Sequence, residues 1–207
     1  MNNFTTNTYE LKREICNFSE KIANGISKPA KKFVMETQYG FSKGGSCLIS
    51  NMARALDEDI KLNYTIDRLC DNFANLDDEY RKIIWKNYIN EVKKNINPKD
   101  AIAIFDDSDI NKEYSKKLED LDRVRDASSP DKRIVNGYNV CEAVLLSKNT
   151  NQPISVYSKI YSCKSSDFKS KNTYTLDSIK AVENIVEKNF TGIFDRGYDC
   201  LLYTSDA

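Results

Sequence analysis

Five apolar residues, Ala101-Ile102-Ala103-Ile104-Phe105, run straight into Asp106 and Asp107. A short, continuously apolar run suits a strand buried on both faces. Its polar end must surface, because a lone carboxylate in a dry core is costly or takes up a proton. The pattern returns at Thr191-Gly192-Ile193-Phe194-Asp195-Arg196-Gly197. If two such strands lie side by side and point the same way, Asp106 and Asp195 meet at one edge of a sheet. Carboxylates meeting there make a site for a hard divalent cation, which prefers oxygen ligands. Asp107 is the reserve ligand should the register differ by one residue. Otherwise Asp107 and Asp109 read as cap or turn residues.

Several chemistries are excluded by what the chain lacks. It has no histidine, which removes Ser-His and Cys-His nucleophilic catalysis, imidazole zinc sites and a histidine general base. Its six cysteines form no C-x-x-C and have no zinc-ligand spacing, so reduced, mostly buried thiols are expected. Chemistry then falls to carboxylates, lysines, tyrosines or thiols. The start, Met-Asn-Asn-Phe-Thr-Thr-Asn-Thr, has no basic stretch leading into an apolar run, and no segment is apolar for long enough to span a bilayer. A cytoplasmic protein without membrane contact is the expectation. Acids and bases balance at 31 each, but residues 1–54 carry eight Lys or Arg against four Asp or Glu. That basic bias is compatible with nucleic acid, with Lys28, Lys31, Lys32, Lys43 and Arg54 as candidate DNA contacts.

At 207 residues the chain can bury one sizeable core beside a smaller domain. Residues 9–24 space Leu11, Ile15, Phe18 and Ile22 as an amphipathic helix. Pro29 opens a second helix, with Gly40 and Gly44-Gly45 expected to break it. Ser46 reads as the N-cap of a third helix, a fourth falls near 64–74 with Ile66, Leu69, Cys70 and Phe73 on its apolar face, and Asp77 caps a fifth that Pro98 stops. Residues 1–98 thus read as all-helical. The pair near 46–57 and 64–74 is either a helix-turn-helix DNA reader or an ordinary helical hairpin. After Pro98 the pattern changes to a strand at 101–106 and a charged loop or helix at 107–133. Two strands forming a hairpin follow at 138–146 and 154–161, then a helix at 176–188 and the strand ending at Asp195. A crossover through that helix would return the last strand parallel to the first. Tyr138, Tyr157 and Tyr161 are expected to pack on the sheet.

Read together, Phe105-Asp106-Asp107-Ser108, Leu121-Asp122-Arg123-Val124-Arg125-Asp126, Asn136-Gly137-Tyr138 and Phe194-Asp195-Arg196-Gly197-Tyr198-Asp199 resemble the DDE transposases of bacterial insertion sequences. In that family a D-x-[ST] acid ends the first strand and a D-R-G acid follows a later one. The resemblance implies an α/β protein: an all-helical DNA-end-binding region at 1–98, then an incomplete RNase H-like mixed-sheet catalytic domain at 99–199. It also implies Mg²⁺ or Mn²⁺ held by Asp106 and Asp195, with Arg196 steadying DNA phosphate. Transposon-end and target DNA would be the partners, and the full-length enzyme would be a possible homodimer. The family's third acid is a Glu on a later helix, in a signature this chain does not contain, so a fragment inactive by itself is expected. An inert DNA-binding module and an RNase H-like nuclease outside transposition are the alternatives.

Residues 200–207, Cys-Leu-Leu-Tyr-Thr-Ser-Asp-Ala, match one reading frame of a common sequencing-library adapter residue for residue. The expectation is a non-native tail, with the native reading frame interrupted at or just after Asp199.

Overall fold

The structure, a computed structural model, describes residues 2–126, 129–131, 133–186 and 190–195. The chain divides into two compact units, Met1–Glu91 and Val92–Ala207. It is α/β, with six helices and a five-stranded mixed sheet among the described residues. Arg196 and residues 200–207 lie outside the described residues.

The first unit contains α1 (Asn2–Ile22), α2 (Lys28–Gly44), α3 (Ile49–Leu56), α4 (Leu62–Ala74) and most of α5 (Asp78–Lys93). One apolar cluster joins Ile22, Ala23, Ile26 and Val34 to Phe18, Tyr80, Ile83 and Ile84. A second gathers Phe33, Ala53 and Leu69, with Ile49, Leu56, Leu62 and Ile66 against it. Asn87 donates to the carbonyls of Ile22 and Asn24 at 3.0 and 2.8 Å, satisfying acceptors that the end of α1 leaves open. A charged knot holds the second cluster in place. Arg68 bridges Glu36 and Glu58, Thr65 donates to Glu58, and Lys32 lies 3.4 Å from Glu36.

Several sequence readings change here. Helix α2 does not break at Gly40; it runs on to Gly44, and Gly45 closes it in the left-handed conformation. Gly40 is a contact point between helices, because a Cβ there would stand 2.9 Å from the Met52 Cβ of α3. Ser46 does not cap α3. Leu48 holds the N-cap position without a side-chain bond, and the Ser46 hydroxyl accepts from the Leu48 N–H and the Asn51 amide. On α4, Leu69 is buried but Cys70 and Phe73 are exposed. Asp77 does cap α5, accepting from the Tyr80 N–H at 2.7 Å.

The second unit holds β1 (Ala101–Asn111), β2 (Asp122–Arg125), β3 (Ile134–Leu146), β4 (Pro153–Tyr161), α6 (Lys171–Glu183) and β5 (Phe190–Phe194). β1 pairs antiparallel with β3 and parallel with β5, while β4 and β2 share the other edge of β3 end to end. The expected hairpin is β3–β4. β1, however, extends five residues past Asp106, because β3 supplies pairing partners as far as Asn111. Asp107 and Asp109 are therefore strand residues, not caps or turns, and the expected 107–133 loop contains the end of β1 and all of β2. Asn136 and Gly137 sit inside β3 and do not punctuate it. A Cβ on Gly137 would clash with the Ile110 carbonyl oxygen, so β1 approaches there only because the residue is glycine. α6 begins at Lys171, earlier than its apolar periodicity suggested, because the Ser170 side chain caps it by accepting from the Thr173 N–H. It ends at Glu183, short of the expected 188, and Leu176 is exposed.

Candidate metal centre

Alternation along β1 separates its two adjacent carboxylates. Ala101, Ala103 and Phe105 are buried on the face that α6 covers, and Asp107 lies on that face half-buried. Ile102, Asp106 and Ser108 turn to the opposite, exposed face. β5 follows the same division. Phe194 stacks on Phe105 at 4.5 Å between ring centroids and Phe190 lies 6.3 Å away, which leaves Thr191 and Ile193 on the Asp106 side, with Asp195 just past the strand.

Parallel pairing sets the row. Ile104 faces Ile193 and Phe105 faces Phe194, so Asp106 on β1 and Asp195, the first residue past the end of β5, each stand one residue beyond the last matched pair. Both are exposed. Neighbouring strands lie roughly 4.8 Å apart, a spacing at which two carboxylates can share one cation. Asp106 is not at a strand end, as its sequence context suggested; it is at the end of the stretch that β5 pairs. The Ser108 hydroxyl donates to Asp106 Oδ2 at 2.5 Å.

Antiparallel pairing adds a residue the sequence reading missed. Glu142 of β3 is the register partner of Asp106 and projects to the same face, so the row reads Asp195, Asp106, Glu142 across three strands. Only the register reveals it, since nothing in the local sequence of Glu142 marks it. Like charges directly opposite one another on a sheet destabilise it, and a bound cation would offset that repulsion. The donor set of carboxylate oxygens on an open face fits a hard ion such as Mg²⁺ or Mn²⁺ held through Asp106 and Asp195, with water completing its shell. Among the described residues, however, no three His, Cys, Asp or Glu side chains converge closely enough to enclose a metal ion.

No protein-family model and no curated protein matches this chain.

Behind the row, Asp107 serves a different environment. Burial pushes its carboxyl pKa up, against the opposing charge of Lys171, and its Oδ1 is buried without a hydrogen-bond partner. Its register partner is Cys141, whose thiol is pushed up to about 12 by burial and then by the Asp107 charge. That geometry makes Asp107 part of the covered side of the sheet and not a ligand on the open side.

The candidate DNA contacts all lie in the first unit apart from Arg196. Lys28, Lys32, Lys43 and Arg54 are exposed, but Lys31 is half-buried, contrary to its expected exposure. Spacings of four, seven and four residues set Lys28, Lys32, Tyr39 and Lys43 along one stripe of α2. Lys12 of α1 joins that stripe, since both Lys12 and Lys43 lie over the Tyr39 ring, at 5.4 and 5.7 Å. Arg54 folds back on the Ser50 carbonyl and the Asn51 amide oxygen. α4, the would-be reading helix of a helix-turn-helix, exposes Asp67 and Asp71, and its one basic side chain, Arg68, is committed to Glu36 and Glu58. That face repels phosphate, so the electrostatics favour the ordinary hairpin.

Proposed function

We propose that this chain is a fragment of a DDE-type transposase, with an RNase H-like sheet that acts on DNA by metal-dependent phosphoryl transfer. The observation that supports the reading is the parallel pairing of β1 with β5, after whose last matched pair come Asp106 and Asp195, both exposed. Mg²⁺ or Mn²⁺ bound there would supply Lewis acidity for in-line displacement at phosphorus. Asp106 and Asp195 would hold the ion by their oxygens. Ser108 orients Asp106 through its hydroxyl. Arg196 steadies a phosphate beside Asp195. The basic stripe of α2 attracts the DNA backbone without reading its sequence.

The limited convergence of ligands among the described residues favours one alternative outcome, a DNA-binding module without catalysis. The deciding experiment is duplex DNA binding with and without Mg²⁺ or Mn²⁺ by the chain and by its Asp106→Asn and Asp195→Asn variants, with nicking of supercoiled DNA read alongside. Binding strengthened by metal in the parent and not in either variant supports the reading, with or without nicking, because the family's third acid is missing from this chain. Metal-dependent nicking without joining of the cut 3′ end marks a nuclease, and DNA binding indifferent to metal in all three proteins marks the binding module.

A further inference from the structure

Along the outer edge of β3, pairing passes from β4 to β2 at Tyr138: Asn139 pairs with Tyr161 of β4 and Gly137 with Asp122 of β2. The handover leaves a notch containing a cavity of about 340 Å³, within the size range of small-ligand sites. One wall is aromatic. Tyr161 stacks on Tyr174 at 4.3 Å between centroids, with Phe168 about as close to both, 6.1 Å from Tyr161 and 6.2 Å from Tyr174. The rim is acidic, with Glu119 and Asp120 from the loop before β2 and Asp167 from the loop before α6, against a single cation, Lys159. The Tyr138 hydroxyl donates to the Glu119 carbonyl and fixes that loop over the notch. Ser165 donates to Asp167 at 2.6 Å, and this bond holds the Asp167 carboxyl below its ordinary value, ionised at neutral pH.

The charge excess rules against an anionic guest, so this cavity is not a DNA phosphate site. The aromatic wall of Tyr161 and Tyr174 favours a guest with an apolar part over a bare metal ion. We infer that the notch between β4 and β2 binds an organic cation, a guanidinium or primary ammonium group on a short apolar stem. The stem lies along the Tyr161–Tyr174 wall and the head meets the carboxylates of Glu119, Asp120 and Asp167, where a planar guanidinium can take two oxygens at once. The source is either a free small amine or an arginine side chain of another protein. This site is independent of the Asp106–Asp195 row and of the DNA reading.

The test is calorimetric titration of the full chain at low salt with butylguanidinium, with its uncharged counterpart butylurea, and with a neutral peptide containing one arginine. Saturable butylguanidinium binding is expected, with none for butylurea. The double variant Glu119→Gln/Asp120→Asn should weaken it about five-fold or more, since each exposed ion pair is worth a few-fold. Asn tolerates the left-handed conformation of Asp120 (φ 49°), so the variant should keep the fold. Lys159→Gln should tighten binding a few-fold and Asp106→Asn should leave it unchanged. A peptide binding ten-fold tighter than butylguanidinium identifies a protein side chain as the source, and similar affinity identifies a free amine. Absence of saturable binding, equal binding of butylurea, or loss through Asp106→Asn alone would overturn the proposal.

Discussion

At the residue scale, the decisive fact is that neighbours in sequence serve opposite faces of one strand. Asp106 faces the open side and Asp107 the side under α6. The sequence marked both carboxylates and left the choice between them open, because alternation alone does not say which face is covered. The expectation of mostly buried thiols holds for Cys141 and fails for Cys47, Cys70 and Cys163, which are exposed. With the Cys141 pKa raised to about 12 by burial and Asp107, that thiol stays neutral at pH 8. Brief iodoacetamide treatment of the native protein should therefore label the exposed Cys47 and Cys70 and spare Cys141 until denaturant is added; mass spectrometry reads the outcome. Asp122 behaves in the opposite sense. Burial works to raise its pKa, but the N–H groups of Arg123 and Cys163, at 2.7 and 2.9 Å, outweigh burial and hold it below the ordinary value. A depressed folded pKa contributes stability that is fully present above the unfolded value of about 3.9 and is lost as pH falls through the folded value. Asp122→Asn should lower the urea midpoint at pH 7, and the gap from the parent should narrow as pH falls below the unfolded value.

At the element scale, some cap cues held and one, Ser46 before α3, did not. Asp77 before α5 and Pro29 at the start of α2 are local signals, and both hold. Errors arose where a distant partner overrode a local cue. Gly40 looked like a breaker, yet its missing side chain admits Met52 of α3. An Asn-Gly pair is a common turn signal, yet at Asn136-Gly137 the missing side chain admits the Ile110 carbonyl of β1. Asp107 and Asp109 looked like the start of a loop, yet β3 extends the ladder beside them. None of these partners lies near in sequence, so none was readable there. Gly137→Ala tests the point directly. Its Cβ would run into the Ile110 carbonyl and stand 2.6 Å from the Val124 side chain, and the strain should cost about 2–3 kcal/mol in urea unfolding.

At the scale of the whole molecule, charge is segregated although the total is neutral. The basic excess lies in residues 1–54, and its exposed members are shared by α1 (Lys12, Arg13, Lys21) and α2 (Lys28, Lys32, Lys43), with Arg54 on α3. The division into a helical part and a sheet part was legible from the change of pattern after Pro98, and the parallel return of β5 from the crossover order. Glu142's place in the carboxylate row was not legible, because it depends on antiparallel register. If α2 is the DNA face, replacing Lys28, Lys32 and Lys43 by Gln should reduce the slope of log affinity against log salt by up to about 0.9 for each phosphate no longer neutralised. Changing Asn63 and Tyr64 on α4 should leave that slope unaltered. Fluorescence anisotropy of a labelled duplex across a salt series checks both. The central claim, however, rests on the sheet. Titration of the chain with Mn²⁺, followed by electron paramagnetic resonance of the free ion, measures the site without requiring catalysis. The account predicts saturable binding that weakens about ten-fold or more in both Asp106→Asn and Asp195→Asn, while Asp107→Asn, which alters the covered face, retains it. Binding that is absent, or that survives both substitutions on the open face, would contradict it.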